Sequence, residues 1–208
     1  GMNNMVQQIV GLAFGIVLGR LLSPYDYGMM AMISVFSLVA TALQDSGFKV
    51  ALTNQEKPTD ADYNSVFWFN IIMGLAMYAM LFAAAPLIAH YYNTPKVVPL
   101  CRLAFLSIVI ASLGTAQSAW LFKNLRAKQQ AKASMAAVLV SSCVGAGMAF
   151  AGMAYWSLAT QGLVYVGLNT LLQWHYSPWR PSLHGITFAP VRRMFRFSCK
   201  ILATTIIQ

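Results

Sequence analysis

The chain is built from apolar runs of membrane-spanning length, separated by short polar breaks, and this pattern constrains its fold more than any other feature. A helix needs about 20 mostly apolar residues to cross the hydrocarbon core. Runs of that kind cover residues 5–22, 27–44, 65–91, 97–122, 133–151 and 156–175. A water-facing surface around them would need far more charge than the sequence supplies. Only 9% of residues are charged and 58% are apolar, where a soluble domain carries about 25% charged residues. The five acidic residues are Asp26, Asp45, Glu56, Asp60 and Asp62. The surface must therefore face lipid, and the expected fold is all-α: a polytopic transmembrane bundle of six full helices.

The breaks have recognisable chemistry. Ser23-Pro24-Tyr25-Asp26-Tyr27-Gly28 stops the first run and starts the second, predicting a tight helical hairpin. Residues 45–64 form the most polar stretch, closed by Thr59-Asp60-Ala61-Asp62, which reads as a capping box for the third helix. That helix contains Pro86 near its end, where a tilt or kink is expected. Asn93-Thr94-Pro95 reads as a turn and residues 123–132 as a basic connector. Residues 177–194 read as a basic loop, with a seventh helix beginning near Phe195. Residues 1–176 are thus expected to form a six-helix lobe. The first run is too long, and too poor in a basic leader, to read as a cleavable signal peptide. Gly1-Met2 reads as an artificial start, and an apolar run broken off at Gln208 points to a piece of a longer chain.

The net charge of +9 raises nucleic acid as a partner, but its distribution argues against one. The cations form clusters between apolar runs rather than a stripe, which suits an anionic membrane surface. With the N-terminus inside, the inner loops hold Lys49, Lys57, Lys123, Arg126, Lys128, Lys132, Arg180, Arg192, Arg193, Arg196 and Lys200. The outer side holds Arg20, Lys96 and Arg102. Eleven basic residues against three predict a cytoplasmic N-terminus by the positive-inside rule. Tyrosines and tryptophans at the run ends fit interfacial belts.

Cys101, Cys143 and Cys199 lie in or beside apolar runs without metal-type spacing, and read as small packing residues. His90, His175 and His184 lack carboxylate or cysteine partners at useful spacing, so no catalytic constellation and no cofactor site is apparent. Two small-residue series, Gly11/Gly15/Gly19 and Ala137/Ser141/Gly145/Ala149, predict close helix packing. Polar groups inside the runs are the functional pointers, because lipid makes them costly. They include Gln7, Gln8, Asn70, Gln117, Gln161, Asn169 and Gln173, for which a helix–helix hydrogen bond is the plainer role. Arg20 and Arg102 either snorkel to the interface or line an anion-attracting surface. Asp45 and Lys49 stand one helical turn apart and could pair.

Several segments together resemble a known family. Leu18-Gly19-Arg20-Leu21-Leu22-Ser23-Pro24-Tyr25-Asp26-Tyr27-Gly28 is similar to the hairpin of bacterial polysaccharide flippases. Val66-Phe67-Trp68-Phe69-Asn70 with Gly74, Ala85-Pro86-Leu87-Ile88-Ala89 with Tyr91-Tyr92, Val98-Pro99-Leu100-Cys101-Arg102, and Trp179-Arg180-Pro181 extend the likeness. The family is the polysaccharide transporter group of the multidrug/oligosaccharidyl-lipid/polysaccharide flippase superfamily, whose members usually have two similar lobes. The resemblance implies the N-terminal lobe of a transporter that moves undecaprenyl-diphosphate-linked oligosaccharide across the bacterial inner membrane by alternating access. It also implies possible proton or sodium coupling and a missing C-terminal lobe as partner. Cavity-lining roles fall on Gln7, Gln8, Arg20 and Asp45, with Arg102 added as a potential anion contact. A multidrug exporter on the same scaffold, or a non-transporting scaffold for glycan assembly, are the alternatives. Scarce intramembrane carboxylates favour the flippase.

Overall fold

The computed structural model describes residues 2–44, 48–184 and 186–196; the side chains of Asn3 and of residues 41–50 lie outside that description. Seven helices follow one another: α1 Met2–Leu21, α2 Pro24–Gln44, α3 Phe48–Asn54, α4 Asp60–Tyr91, α5 Val97–Lys123, α6 Ala127–Phe150 and α7 Tyr155–Tyr176. The chain is again helical over 189–196, and no strand occurs among the described residues. The protein is an all-α membrane bundle. Among the described residues, four helices, α1, α4, α5 and α6, are both long and apolar enough to cross a membrane. Of the other two long helices, α7 has 22 residues but dilutes its apolar character with Gln161, Asn169 and Gln173, whereas the side chains of α2 are described only over residues 24–40.

Local chemistry explains where the helices start. Ser23 and Asp26 cap α2 reciprocally: the Ser23 amide and hydroxyl donate to Asp26 Oδ2 at 2.9 Å, and the Asp26 amide donates to Ser23 Oγ at 3.4 Å. Pro24 is the first helical residue, where its missing N–H costs nothing. Thr59 and Asp62 form the expected capping box on α4. Pro86 lies inside α4, which runs on to Tyr91.

α5 is the centre of the bundle. It packs along α4 and α7, while α6 packs along α7. Val97, Leu100, Cys101 and Phe105 of α5 are fully buried against Met29 and Ile33 of α2, Met77, Ala85 and Ile88 of α4, and Ala159 of α7. α1 lies beside α6 alone among the helices, held through Leu18, Leu22 and Ala149, with Leu158 of α7 completing the patch.

Alternating helix directions place the N-termini of α1, α4 and α6 at one end of the bundle, with the C-termini of α2, α5 and α7. Lys57, Lys123, Arg126, Lys128, Lys132, Arg180, Arg192, Arg193 and Arg196 gather at this basic end, whereas Arg20, Lys96 and Arg102 lie toward the other.

Two segments differ from the sequence reading. The polar stretch 45–64 contains α3, a seven-residue helix whose Ala51 and Leu52 are buried under α4 and α5. Lys123 Nζ caps its exit by donating to the carbonyls of Thr53 at 3.0 Å and Gln55 at 2.5 Å. The last helix begins at 189 rather than near Phe195, because Pro190 falls in the first turn, where a helix tolerates it.

Candidate functional site

The small-residue series on α6 lets α7 approach. Ala137, Ser141, Gly145 and Ala149 are all buried, and a Cβ on Gly145 would meet Gln161 Oε1 at 2.8 Å. Gln161 is thereby laid against α6. The series on α1 behaves differently: a Cβ on Gly11, Gly15 or Gly19 would meet nothing within 4 Å among the described residues. The expected packing of that stripe is absent here, because α1 turns Leu18 and Leu22 to the bundle instead.

Between the open part of α1 and the tight α6–α7 pair lies a cavity of about 710 Å³. α1 contributes Asn4, Gln7, Gln8 and Gly11; α6 contributes Val138, Ser141 and Ser142; α7 contributes Leu158, Gln161, Gly162 and Tyr165. Ser141 and Ser142 are buried, and the Ser141 hydroxyl donates to the Val138 carbonyl at 3.1 Å. The wall is polar and carries no charge: four side-chain amides, two hydroxyls and a phenol. Amides and hydroxyls can both donate and accept, which matches a neutral ligand dense in hydroxyl groups. A cavity of this kind on lipid-facing helices is costly to keep unless it serves a ligand.

Of the sequence-predicted residues, the structure brings Gln7 and Gln8 into this cavity. Arg20 is exposed in the last turn of α1, away from it. Arg102 is on α5, its guanidinium 4.1 Å over the Phe82 ring, with Nε buried and without a hydrogen-bond partner. Asp45 lies outside the described residues, and so does its pairing with Lys49. The remaining amides divide. Asn169 Oδ1 accepts from Ser134 Oγ at 3.5 Å across α6 and α7, while Asn70 Nδ2 donates to the Val66 carbonyl of its own helix at 2.9 Å. Gln117 is fully buried with neither amide atom partnered, so the helix–helix bond expected there is not formed. Ser142 and Tyr165 were not singled out by the sequence, because run-by-run reading cannot tell which faces of three helices converge. No group of three or more His, Cys, Asp or Glu that could hold a metal occurs among the described residues.

Residues 17–208 match the family described as polysaccharide biosynthesis protein. The chain belongs to that family. It is 24% identical over 205 residues to the lipopolysaccharide biosynthesis protein WzxC of Escherichia coli, covering 96% of this chain and 41% of that protein. It is 26% identical over 145 residues to the succinoglycan biosynthesis transport protein ExoT of Rhizobium meliloti, covering 70% and 29%. Teichuronic acid biosynthesis protein TuaB of Bacillus subtilis is 26% identical over 118 residues, covering 57% and 24%. The chain thus spans less than half the length of these relatives. No solved structure matches it. Membership of this family, together with the spanning helices, marks a multi-pass membrane protein of polysaccharide biosynthesis.

Proposed function

We propose that the chain forms the N-terminal lobe of a flippase that moves an undecaprenyl-diphosphate-linked oligosaccharide across the bacterial inner membrane by alternating access. The observation that carries this reading is the uncharged cavity between α1, α6 and α7, walled by amides and hydroxyls. Gln7, Gln8, Ser142, Gln161 and Tyr165 would exchange hydrogen bonds with sugar hydroxyls as the saccharide leaves water. The wall holds no carboxylate, which disfavours a cationic drug as the cargo. Arg20 and Arg102, toward the opposite end of the bundle, would meet the diphosphate there through charge-assisted bonds. A second lobe from the longer protein would face the open side of α1. The basic end would face the cytoplasm.

The test is complementation of a strain that lacks its own flippase and makes a matching sugar repeat. The full-length gene should restore surface polysaccharide. The double change Gln7→Ala with Gln161→Ala should cut it about tenfold at unchanged protein level, since two lost hydrogen bonds amount to about 1–3 kcal/mol. No restoration by the unaltered gene would remove the reading.

A further inference from the structure

A second cleft, of about 750 Å³, opens at the basic end, away from the cavity described above. It is a built feature. After α7 the chain turns back across the start of α4 and is pinned there: the Ser182 amide donates to Asn64 Oδ1 at 3.0 Å, Trp68 Nε1 donates to the Ser182 carbonyl at 3.1 Å, and the Ser65 hydroxyl donates to the Thr187 carbonyl at 2.5 Å. The walls are Asp60, Asn64, Trp120, Trp179, Arg180 and His184. Trp179 is fixed by ring contacts to Tyr63 and Phe67, at 5.8 and 6.0 Å between centroids. Arg180 is held by donating Nη1 to the carbonyls of Ser177 and Trp179.

The charges of this cleft are opposite, and the Arg180 guanidinium also faces the Trp174 ring, 5.7 Å from its centroid. The one ion pair among the described residues joins Arg193 and Asp62, so neither Asp60 nor Arg180 has a salt-bridge partner. A guanidinium takes a phosphate. A carboxylate beside tryptophan rings takes an ammonium, by ion pairing and by the attraction of cations to aromatic faces. The cleft lies at the helix ends, where tryptophans collect at the membrane–water interface beside the lipid headgroups.

We propose that this cleft seats the headgroup of an amine phospholipid, its phosphate on Arg180 and its primary ammonium between Asp60 and the tryptophans. A primary ammonium donates hydrogen bonds to Asp60, which a choline group cannot do. Phosphatidylglycerol has no cation for Asp60 to meet. The cleft shares no lining residue with the cavity between α1, α6 and α7.

The test uses the full-length protein, purified and offered equal amounts of phosphatidylethanolamine, phosphatidylglycerol and phosphatidylcholine, with retained lipid read by native mass spectrometry. Phosphatidylethanolamine should be retained about fivefold over the other two, the ratio that about 1 kcal/mol of ammonium contact gives. Asp60→Asn leaves the Thr59–Asp62 cap in place and should erase that preference, whereas Arg192→Gln at the same end should preserve it. Equal retention of the three lipids, a preference for phosphatidylglycerol, or a preference insensitive to Asp60→Asn would each overturn the proposal. A further arm adds undecaprenyl phosphate at equal concentration. Displacement of phosphatidylethanolamine by it would also overturn the assignment, giving the arginine to a prenyl phosphate instead.

Discussion

A methyl group on Gly145 would come within 2.8 Å of Oε1 and 3.0 Å of Cβ of Gln161, whereas on Gly147 it would meet nothing within 4 Å. The two glycines are neighbours on one helix and should respond oppositely to alanine. Helix propensity alone favours the substitution by about 1 kcal/mol, and overpacking opposes it by about 1–3 kcal/mol. Gly145→Ala should lower the thermal unfolding midpoint in detergent and, in the proposed flippase, weaken transport, because Gln161 is pushed out of the cavity wall. Gly147→Ala should leave the midpoint unchanged or raise it. A rise for both would mean that α6 and α7 are not in close contact at this level. Gly145 was legible in the sequence as one of a small-residue series. The matching series on α1 carried the same signal and has no contact among the described residues, since spacing alone names a face and not what covers it.

The first turn of α4 concentrates several ties on one carboxylate. Asp62 Oδ2 accepts from the Thr59 amide, the Thr59 hydroxyl and Gln55 Nε2, each at 2.9 Å, and Oδ1 accepts from Arg193 Nη2 at 3.1 Å. The two ends of the ion pair are unequal, since Asp62 is 3% exposed and Arg193 is 69% exposed. Removing the buried end strands a cap and a glutamine, at about 2 kcal/mol. Removing the exposed end loses a solvent-screened contact of about 0–1 kcal/mol. Asp62→Ala should therefore destabilise the protein clearly more than Arg193→Ala in chemical denaturation. Equal effects would show that the ion pair, not the cap, dominates. The capping box itself was readable, and so was its counterpart at Ser23 and Asp26, a serine with an acid three positions later, which the sequence reading passed over in favour of Pro24 as a stop signal. α3 was not readable, because seven residues with polar neighbours carry neither an apolar run nor a full helical period. Its position is set by tertiary packing of Leu52 and by Lys123 from a distant helix.

Across the whole bundle, the apolar runs and their breaks were legible because each helix must satisfy its own backbone in lipid. The cavity was only partly legible. Gln7 and Gln8 stood out as amides within an apolar run, but their companions Ser142 and Tyr165 gain meaning only once α6 and α7 are side by side. The gathering of cations at one end predicts orientation. In a background without native cysteines, Leu125→Cys, between α5 and α6 and 91% exposed, should react with a membrane-impermeant maleimide only after the inner membrane is opened. Tyr91→Cys, at the far end of α4 and 79% exposed, should react in intact spheroplasts. The reverse pattern would invert the topology.

The side-chain ties described at the basic end have a mechanical consequence. Lys123 fastens α3 to α5, Asn64, Ser65 and Trp68 hold the segment after α7 onto α4, and Trp174 Nε1 donates to the Leu113 carbonyl of α5 at 2.8 Å. A pull or twist applied to the chain beyond residue 196 is therefore borne by α3, α4, α5 and α7 as one stiff block. α1 touches that block only through α6 and a few leucines, so it is the helix least tied to the block, and any displacement of it against α6 and α7 would widen or pinch the cavity they share.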